Sequence, residues 1–449
     1  MAPPILTIRP LATLTPPSTT RAWSSTPHPT LPLLATASSD KTVRIYSLAS
    51  YTLHSTVAGG HKRSVRACAW KPGAESGGGE SVLATGSFDA SAGIWRRAVR
   101  RSSGGGGGGG GVGVGEDEVE EEGLDAGDED DDEWRYSVVL DGHESEIKGI
   151  AWSAGGTYLA TCSRDKSVWV WEELPGEEDN FETVAVLQEH EGDVKCVVWH
   201  PEEELLASAS YDDTVRLYRE DLDDWTCVGI LEGHEATVWC VDFEGSDGAG
   251  LGSERDEELS EQQRSWLKDR KEAGPRLVSC SDDMTTRVWR RVPKQGQDFK
   301  PGKDKMPNII RSDNVQENWI EEARLPKRHD RAIYTVQWSK RTGRLVSTGS
   351  DGKIVVYEER WKTDHSTSTN GTANAANGGN NVEVDGPNED SVPKFTEWFV
   401  VDELEGAHDV YEVNHVCWSR RWDNKKRSID EEIIISTGDD GEVKAWSLD

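Results

Sequence analysis

"LATCSRDKSVWVW", residues 159–171, places Arg164, Asp165 and Lys166 between two runs that otherwise read as buried strand. Charges interrupt a buried sheet at low cost only where the chain turns, so the stretch reads strand, tight turn, strand. It recurs as "LATASSDKTVRIY" (34–46), "LATGSFDASAGIW" (83–95), "LASASYDDTVRLY" (206–218), "LVSCSDDMTTRVW" (277–289), "LVSTGSDGKIVVY" (345–357) and "IISTGDDGEVKAW" (434–446). Every copy holds an Asp six residues before a Trp or Tyr: Asp40, Asp89, Asp165, Asp212, Asp283, Asp351 and Asp440. Every copy also holds a Ser or Thr four residues before that Asp: Thr36, Thr85, Thr161, Ser208, Ser279, Ser347 and Ser436. A His precedes six copies, at 61, 143, 190, 234, 329 and 408. An aromatic follows five of them at nine residues (Trp70, Trp152, Trp199, Phe243, Trp338), and Trp418 follows His408 at ten. Spacings held this often mark an internal repeat.

Within one unit, "KCVVWH" (195–200), "ELLASAS" (204–210), "TVRLY" (214–218) and "DDWTCVGIL" (223–231) give four short β-branched segments. One such unit cannot bury both its faces, so the copies must pack side by side around an axis. The expected fold is all-β, a single seven-bladed β-propeller over residues 1–449, and the pattern resembles the WD-repeat family. The match departs from that family's pattern in two ways. The third strand never ends in a literal Trp-Asp pair (Glu172 follows Trp171, Arg290 follows Trp289), and only three copies carry Gly-His. "PLATL" (10–14) reads as an outer fourth strand, and the last copy stops after its third strand. The N-terminal strand is therefore expected to complete blade seven and remove an open edge.

In WD-repeat proteins the His, Ser/Thr, Asp and Trp of a blade form a buried polar network. The resemblance carries that role onto His143, Thr161, Asp165 and Trp171, onto His190, Ser208 and Asp212, and onto His234, Ser279, Asp283 and Trp289. The Asp would accept hydrogen bonds from its turn and from the imidazole, leaving no polar group unsatisfied beneath the next blade. Lys166 is expected to be a solvated turn residue. Ser/Thr, His and Asp are also the members of a catalytic triad. A triad, however, is one activated nucleophile in a pocket, whereas this set repeats around a ring. No catalytic residue is expected, and the chain does not read as an enzyme. Blade one lacks its His and is expected to be the least locked.

Composition narrows the function. The chain holds 45 Gly, 19 Trp and 3 Met, a vocabulary of short strands and turns. Net charge is −32, and residues 116–133 alone carry 13 acidic side chains after eight consecutive glycines at 104–111. That block reads as a disordered, solvated insertion. No basic footprint for nucleic acid appears. No apolar run approaches the ~20 residues of a membrane span. The seven cysteines (68, 162, 196, 227, 240, 280, 417) are scattered singly, without metal-site spacing, which fits a reducing compartment and buried filler. No metal or cofactor is expected. The glycine motif "GVGVG" (111–115) has no strand–helix unit behind it and is discounted as a phosphate loop.

Alternating strand direction puts the Asp turns and the His loops on one face, here called the top. Residues 98–133, 292–317 and 361–395, between strands three and four, and 245–274 and 420–430, between strands one and two, fall on the bottom face. They read as flexible insertions. The bare top has two readings: the network itself demands short turns, or a recognition surface is kept clear. The residues just before the locking Asp should face the top opening: Ser39, Phe88, Arg164, Tyr211, Asp282, Ser350 and Asp439. So should those five after the His: Arg66, Lys148, Lys195, Trp239 and Tyr334. Cations beside aromatics in an acidic chain suit an acidic peptide or carboxylate, or they solvate the rim.

Blades three to five, through "LATCSRDKSVWVWE" (159–172), "HEGDVKCVVWHPEEELLASASYDDTVRLYRE" (190–220), "DDWTCVGILEGHEATVW" (223–239) and "SCSDDMTTRVWR" (279–290), resemble the WD-repeat subunits of the cytosolic iron–sulfur protein assembly machinery. That resemblance implies a non-enzymatic adaptor helping deliver [4Fe–4S] clusters to cytosolic and nuclear apoproteins. Its implied partners are a small assembly factor, a HEAT-repeat scaffold, a hydrogenase-like cluster carrier and client apoproteins, in the cytoplasm and also the nucleus. The family's top-face arginine maps onto Arg164. The competing readings are a WD-repeat scaffold of another complex, such as a ubiquitin-ligase substrate receptor, and a propeller enzyme.

Overall fold

The computed structural model describes residues 6–74, 79–98, 133–174, 176, 179–221, 224–246, 259–292, 316–362 and 395–449. Among them, strands form seven four-stranded antiparallel sheets. Six sheets use four consecutive strands. The seventh joins Val413–Arg420, Glu432–Gly438 and Val443–Leu448 to the N-terminal strand Ile8–Thr13, with Ile8 opposite Leu448. The innermost strands touch their neighbours in a closed circle, the last (Val413–Arg420) meeting the first (Ala22–Pro27). The expected propeller and its closure by the N-terminal strand are both present.

Packing explains why second strands show no polar alternation. Leu33–Ser38 and Leu205–Ser210 are buried at every position, since each lies mid-blade with a neighbouring blade on either face. The core is accordingly a set of seams between blades. One joins Val278 and Val288 of blade five to Ile333, Val336, Trp338 and Val355 of blade six. Full burial of a large apolar side chain such as Trp338 stabilises by roughly 1.5–3 kcal/mol.

The turn after each second strand follows one design. The residue after the locking Asp has positive φ in all seven copies: Lys41, Ala90, Lys166, Asp213, Met284, Gly352 and Gly441. Lys166 is exposed there at φ 72°, as a solvated turn residue should be.

Two segments read as flexible are ordered where described. Within 245–274, residues Glu261–Ala273 form a helix whose Ser260 cap and Gln263 bond each other's backbone reciprocally. Arg270 of that helix reaches Glu244 at 2.8 Å and Glu359 at 3.2 Å. Trp266 packs edge-on against Trp361, ring centres 5.6 Å apart. Within 420–430, Arg421 pairs with Asp423 at 2.9 Å and Glu431 at 2.8 Å, and Tyr51 of blade one donates to Asp423 at 2.7 Å. Charge density was the sequence signal for flexibility, but here opposite charges satisfy one another. Residues 99–132, 293–315 and 363–394 of the other three insertions, and so most of the acidic run, lie outside the described residues.

Candidate functional site: the top face and its channel mouth

The lock holds the top turns. His143 bonds Asp165 through Nδ1 at 2.8 Å and Thr161 through Nε2 at 2.9 Å, while Trp171 Nε1 donates to the same Thr161 hydroxyl at 3.0 Å. His190 repeats this with Asp212 and Ser208, both at 2.7 Å. His234 does so with Asp283 and Ser279, also at 2.7 Å, and Trp289 donates to Ser279 at 2.8 Å. His61, His329 and His408 hold the corresponding hydroxyls of Thr85, Ser347 and Ser436. Asp165 also accepts the backbone N–H of Glu144 and of Ser167, each at 2.9 Å. Burial pushes the Asp165 carboxyl up, but hydrogen bonds from His143 and Ser167 outweigh it and hold the group well below the carboxylate range. The Thr161 hydroxyl is fully buried between the His143 imidazole and the Trp171 indole. The set is architectural.

Blade one shows what the missing His changes. Ser18 occupies the place 22 residues before Asp40, its hydroxyl 3.4 Å from that carboxylate, and Arg44 closes on Asp40 at 2.7 Å. The Thr36 hydroxyl, which meets an imidazole in the other blades, is buried without a partner. A second serine, missed in the sequence reading, completes five of the locks. Ser38, Ser87, Ser163, Ser210 and Ser281 stand two residues before the Asp and donate to a carbonyl of the loop entering the blade.

The channel mouth is built by β-bulges. In every blade the register of the innermost strand slips past its second residue: Trp23, Arg66, Lys148, Lys195, Trp239, Tyr334 and Asn414. A bulge takes its residue out of the ladder and re-aims the side chain. All five sequence candidates at this level are bulge residues. Trp23 and Asn414 were missed because blade one has no His to count from and the His408 loop is one residue longer. Counting 17 residues back from Asp40 would have found Trp23.

The two rings interlock. Arg66 lies over the Trp23 ring at 4.7 Å, with Arg21 also within 4.6 Å of that ring. Lys148 lies over Phe88 at 4.3 Å, and Lys195 over Trp239 at 5.0 Å and Tyr211 at 5.5 Å. Trp239 donates to Asp282 and meets Tyr334 edge-on at 5.1 Å; Tyr334 donates to Glu412 at 3.1 Å. The Tyr334 phenol is pushed up to about 12 by burial and the Glu412 charge. Phe88, Arg66, Lys148, Lys195, Trp239 and Tyr334 are half-buried. Arg164 and Tyr211 stand outside them, with 58% of the Arg164 side chain and 62% of Tyr211 exposed. The Arg164 guanidinium lies 3.4 Å from Glu146, and its backbone N–H is fixed to the Glu146 carbonyl at 3.0 Å. Cations thus stand on blades two to four, with Glu146 beside Arg164 and Asp193 beside Lys195, while Asp282, Glu412 and Asp439 stand on blades five and seven.

Among the described residues, no group of three His, Cys, Asp or Glu is placed to hold a metal ion, and no helix is long and apolar enough to cross a membrane. The seven cysteines are free and buried or half-buried. Burial pushes the Cys162 thiol well above its ordinary value, as filler rather than a reactive group.

The WD domain, G-beta repeat family model matches residues 8–47, 134–172, 181–219, 225–248 and 322–358. Each full match runs from the outer strand of one blade to the third strand of the next, the offset that closure by the N-terminal strand requires. The chain is 50% identical over 466 residues to the probable cytosolic iron-sulfur protein assembly protein 1 of Penicillium rubens, covering 99% of both chains. It is 55% identical to the protein of the same name from Phaeosphaeria nodorum, over 99% of this chain and 96% of the relative. The Aspergillus terreus counterpart is 52% identical, over 98% and 97%. On this full-length likeness and its seven WD-type blades, the chain belongs to the cytosolic iron–sulfur protein assembly protein 1 family.

Proposed function

We propose that this chain is a non-enzymatic adaptor of cytosolic iron–sulfur protein assembly, working in the cytoplasm through protein–protein contacts. The observation that carries the reading is the kinship with the assembly proteins over 98–99% of this chain. The fold is consistent with it: the recurrent Ser/Thr–His–Asp sets are buried locks, and the top face offers a rigid rim rather than a catalytic cleft. Its partners are a small assembly factor, a HEAT-repeat scaffold, a hydrogenase-like cluster carrier and client apoproteins, nuclear ones among them. Clusters pass as cargo among those proteins. Arg164 is the leading contact residue, since it combines exposure with a backbone fixed by the lock. Phe88, Tyr211 and Lys195 flank it, and aromatic and arginine side chains are the usual anchors of such interfaces.

Arg164→Glu tests this. The variant should fold normally, because the side chain buries little. It should lose at least tenfold in recovery of assembly partners from cell extract and lower the activity of cytosolic iron–sulfur enzymes. Undiminished capture and activity, or a capture dominated by ubiquitin-ligase subunits, would overturn the assignment.

A further inference from the structure

Arginines on the bottom face are generously neutralised. Arg276 meets Glu244, Glu322 and Glu359 at 2.8–2.9 Å, and Arg96 meets Glu80, Glu173 and Asp179 at 2.6–3.1 Å. Arg66 and Lys148 differ. They are the bulge residues of adjacent innermost strands, both half-buried in the channel mouth, and neither forms an ion pair with any described carboxylate. Arg66 has the Trp23 carbonyl at 3.4 Å and that residue's ring, and Lys148 has the Phe88 ring. The nearby acids are committed elsewhere: Glu146 to Arg164 at 3.4 Å and Arg63 at 3.8 Å, Asp193 to Lys195 at 3.2 Å, and Asp439 to Arg21. The Trp23 indole N–H is also buried without an acceptor.

Two like charges held together and partly out of water cost free energy, which the Glu146 and Asp193 charges offset in part for Lys148 and without an ion pair. The strain is visible in their proton affinities. Burial lowers the Arg66 guanidinium to about 10; burial also lowers Lys148, with repulsion from Arg66 and Lys195 acting against the pull of Glu146 and Asp193. Cation–π contact supports each charge from the side without neutralising it.

We propose that Arg66 and Lys148 form an anion pocket in the channel mouth that receives one carboxylate carried on an acidic segment of a partner polypeptide. This rests on the reading of the top face as a docking rim and deepens it by naming the chemistry at its centre. The aromatic walls, Trp23, Phe88 and Trp239, favour a carboxylate on an organic stem over a fully hydrated ion. A free phosphate would satisfy the same two cations, so the test separates the two sources.

The full chain is titrated at low salt with hexaglutamate and, separately, with inorganic phosphate. Binding is followed by calorimetry and by the fluorescence of the tryptophans lining the mouth. Hexaglutamate should bind saturably, and Arg66→Gln with Lys148→Gln should weaken it at least tenfold without lowering the thermal midpoint, since a repulsion is removed. Arg66→Lys, which keeps the charge, should stay within threefold of the parent. Unchanged binding in the double variant, or no saturable hexaglutamate binding, would overturn the pocket. Phosphate binding as tight as hexaglutamate, with the same loss in the double variant, would overturn the polypeptide source. The titration uses the chain alone, so a silent result beside an intact Arg164 effect would sink the pocket and leave the adaptor reading standing.

Discussion

His143 commits both ring nitrogens, so truncating it takes one partner from the Asp165 carboxylate, which keeps the Glu144 and Ser167 N–H groups, and one from the Thr161 hydroxyl, which keeps the Trp171 indole. A lost hydrogen bond costs about 0.5–1.5 kcal/mol, and about 1.5–3 when it is to a charged group, so His143→Ala should lose about 2–3 kcal/mol in denaturant unfolding at neutral pH. A loss below about 0.5 kcal/mol would contradict the lock. The same groups fix the acid response. Asp89 is pushed up by burial but pulled lower by Ser91, Lys62 and His61, to about 2. Its depressed value means its stabilisation is whole above the unfolded carboxyl value of about 3.9 and fades as pH falls toward 2. Asp40, Asp165, Asp212, Asp283, Asp351 and Asp440 are shifted the same way, so the thermal midpoint should fall steeply below about pH 4. Much of this was legible in the sequence, because the lock is a matter of fixed spacing. The second serine holds the same spacing in five of the seven copies, with Gly349 and Gly438 in its place in the other two. The orphaned Thr36 hydroxyl needed coordinates, since only they show that Ser18 and Arg44 cover Asp40 but not Thr36.

Elements were legible where they repeat and illegible where they do not. Every blade repeats one bulge, yet a bulge leaves no mark in composition, so the sequence yielded five of the seven ring positions by counting alone. The helix Glu261–Ala273 occurs once, in a segment whose charge suggested a solvated loop. Its place is set by Glu244, which is pushed up by burial but brought to about 2 by Arg276 and Arg270. Glu244→Ala would leave the buried Arg276 and Arg270 short of their shared carboxylate, with Glu322 and Glu359 as the remaining acids. Breaking a buried pair on one side costs about 3–5 kcal/mol, and the partial compensation puts the expected loss at about 3 kcal/mol. Faster proteolysis within 261–273 should accompany it. A variant as stable and as protease-resistant as the parent would show that the ion cluster does not hold the helix.

At the scale of the molecule the two faces differ in kind. The bottom seams are latched by neutralised charge, as where Lys71 and Arg96 of blade two both meet Glu173 of blade three. The top is held by the internal locks, which leave its cations and rings pointing into an open mouth. Neither face's polarity could be read from net charge, because −32 is a sum over insertions and blades alike. Partners docked on the top face, as proposed, would shield its turns. Hydrogen–deuterium exchange of the full chain, alone and in complex with captured assembly partners, tests this most directly. Protection is expected in the top turns 88–90, 164–167 and 211–214 and in the loops 142–146 and 188–193. Protection confined to the bottom loops or the outer strands, with those turns unchanged, would contradict it.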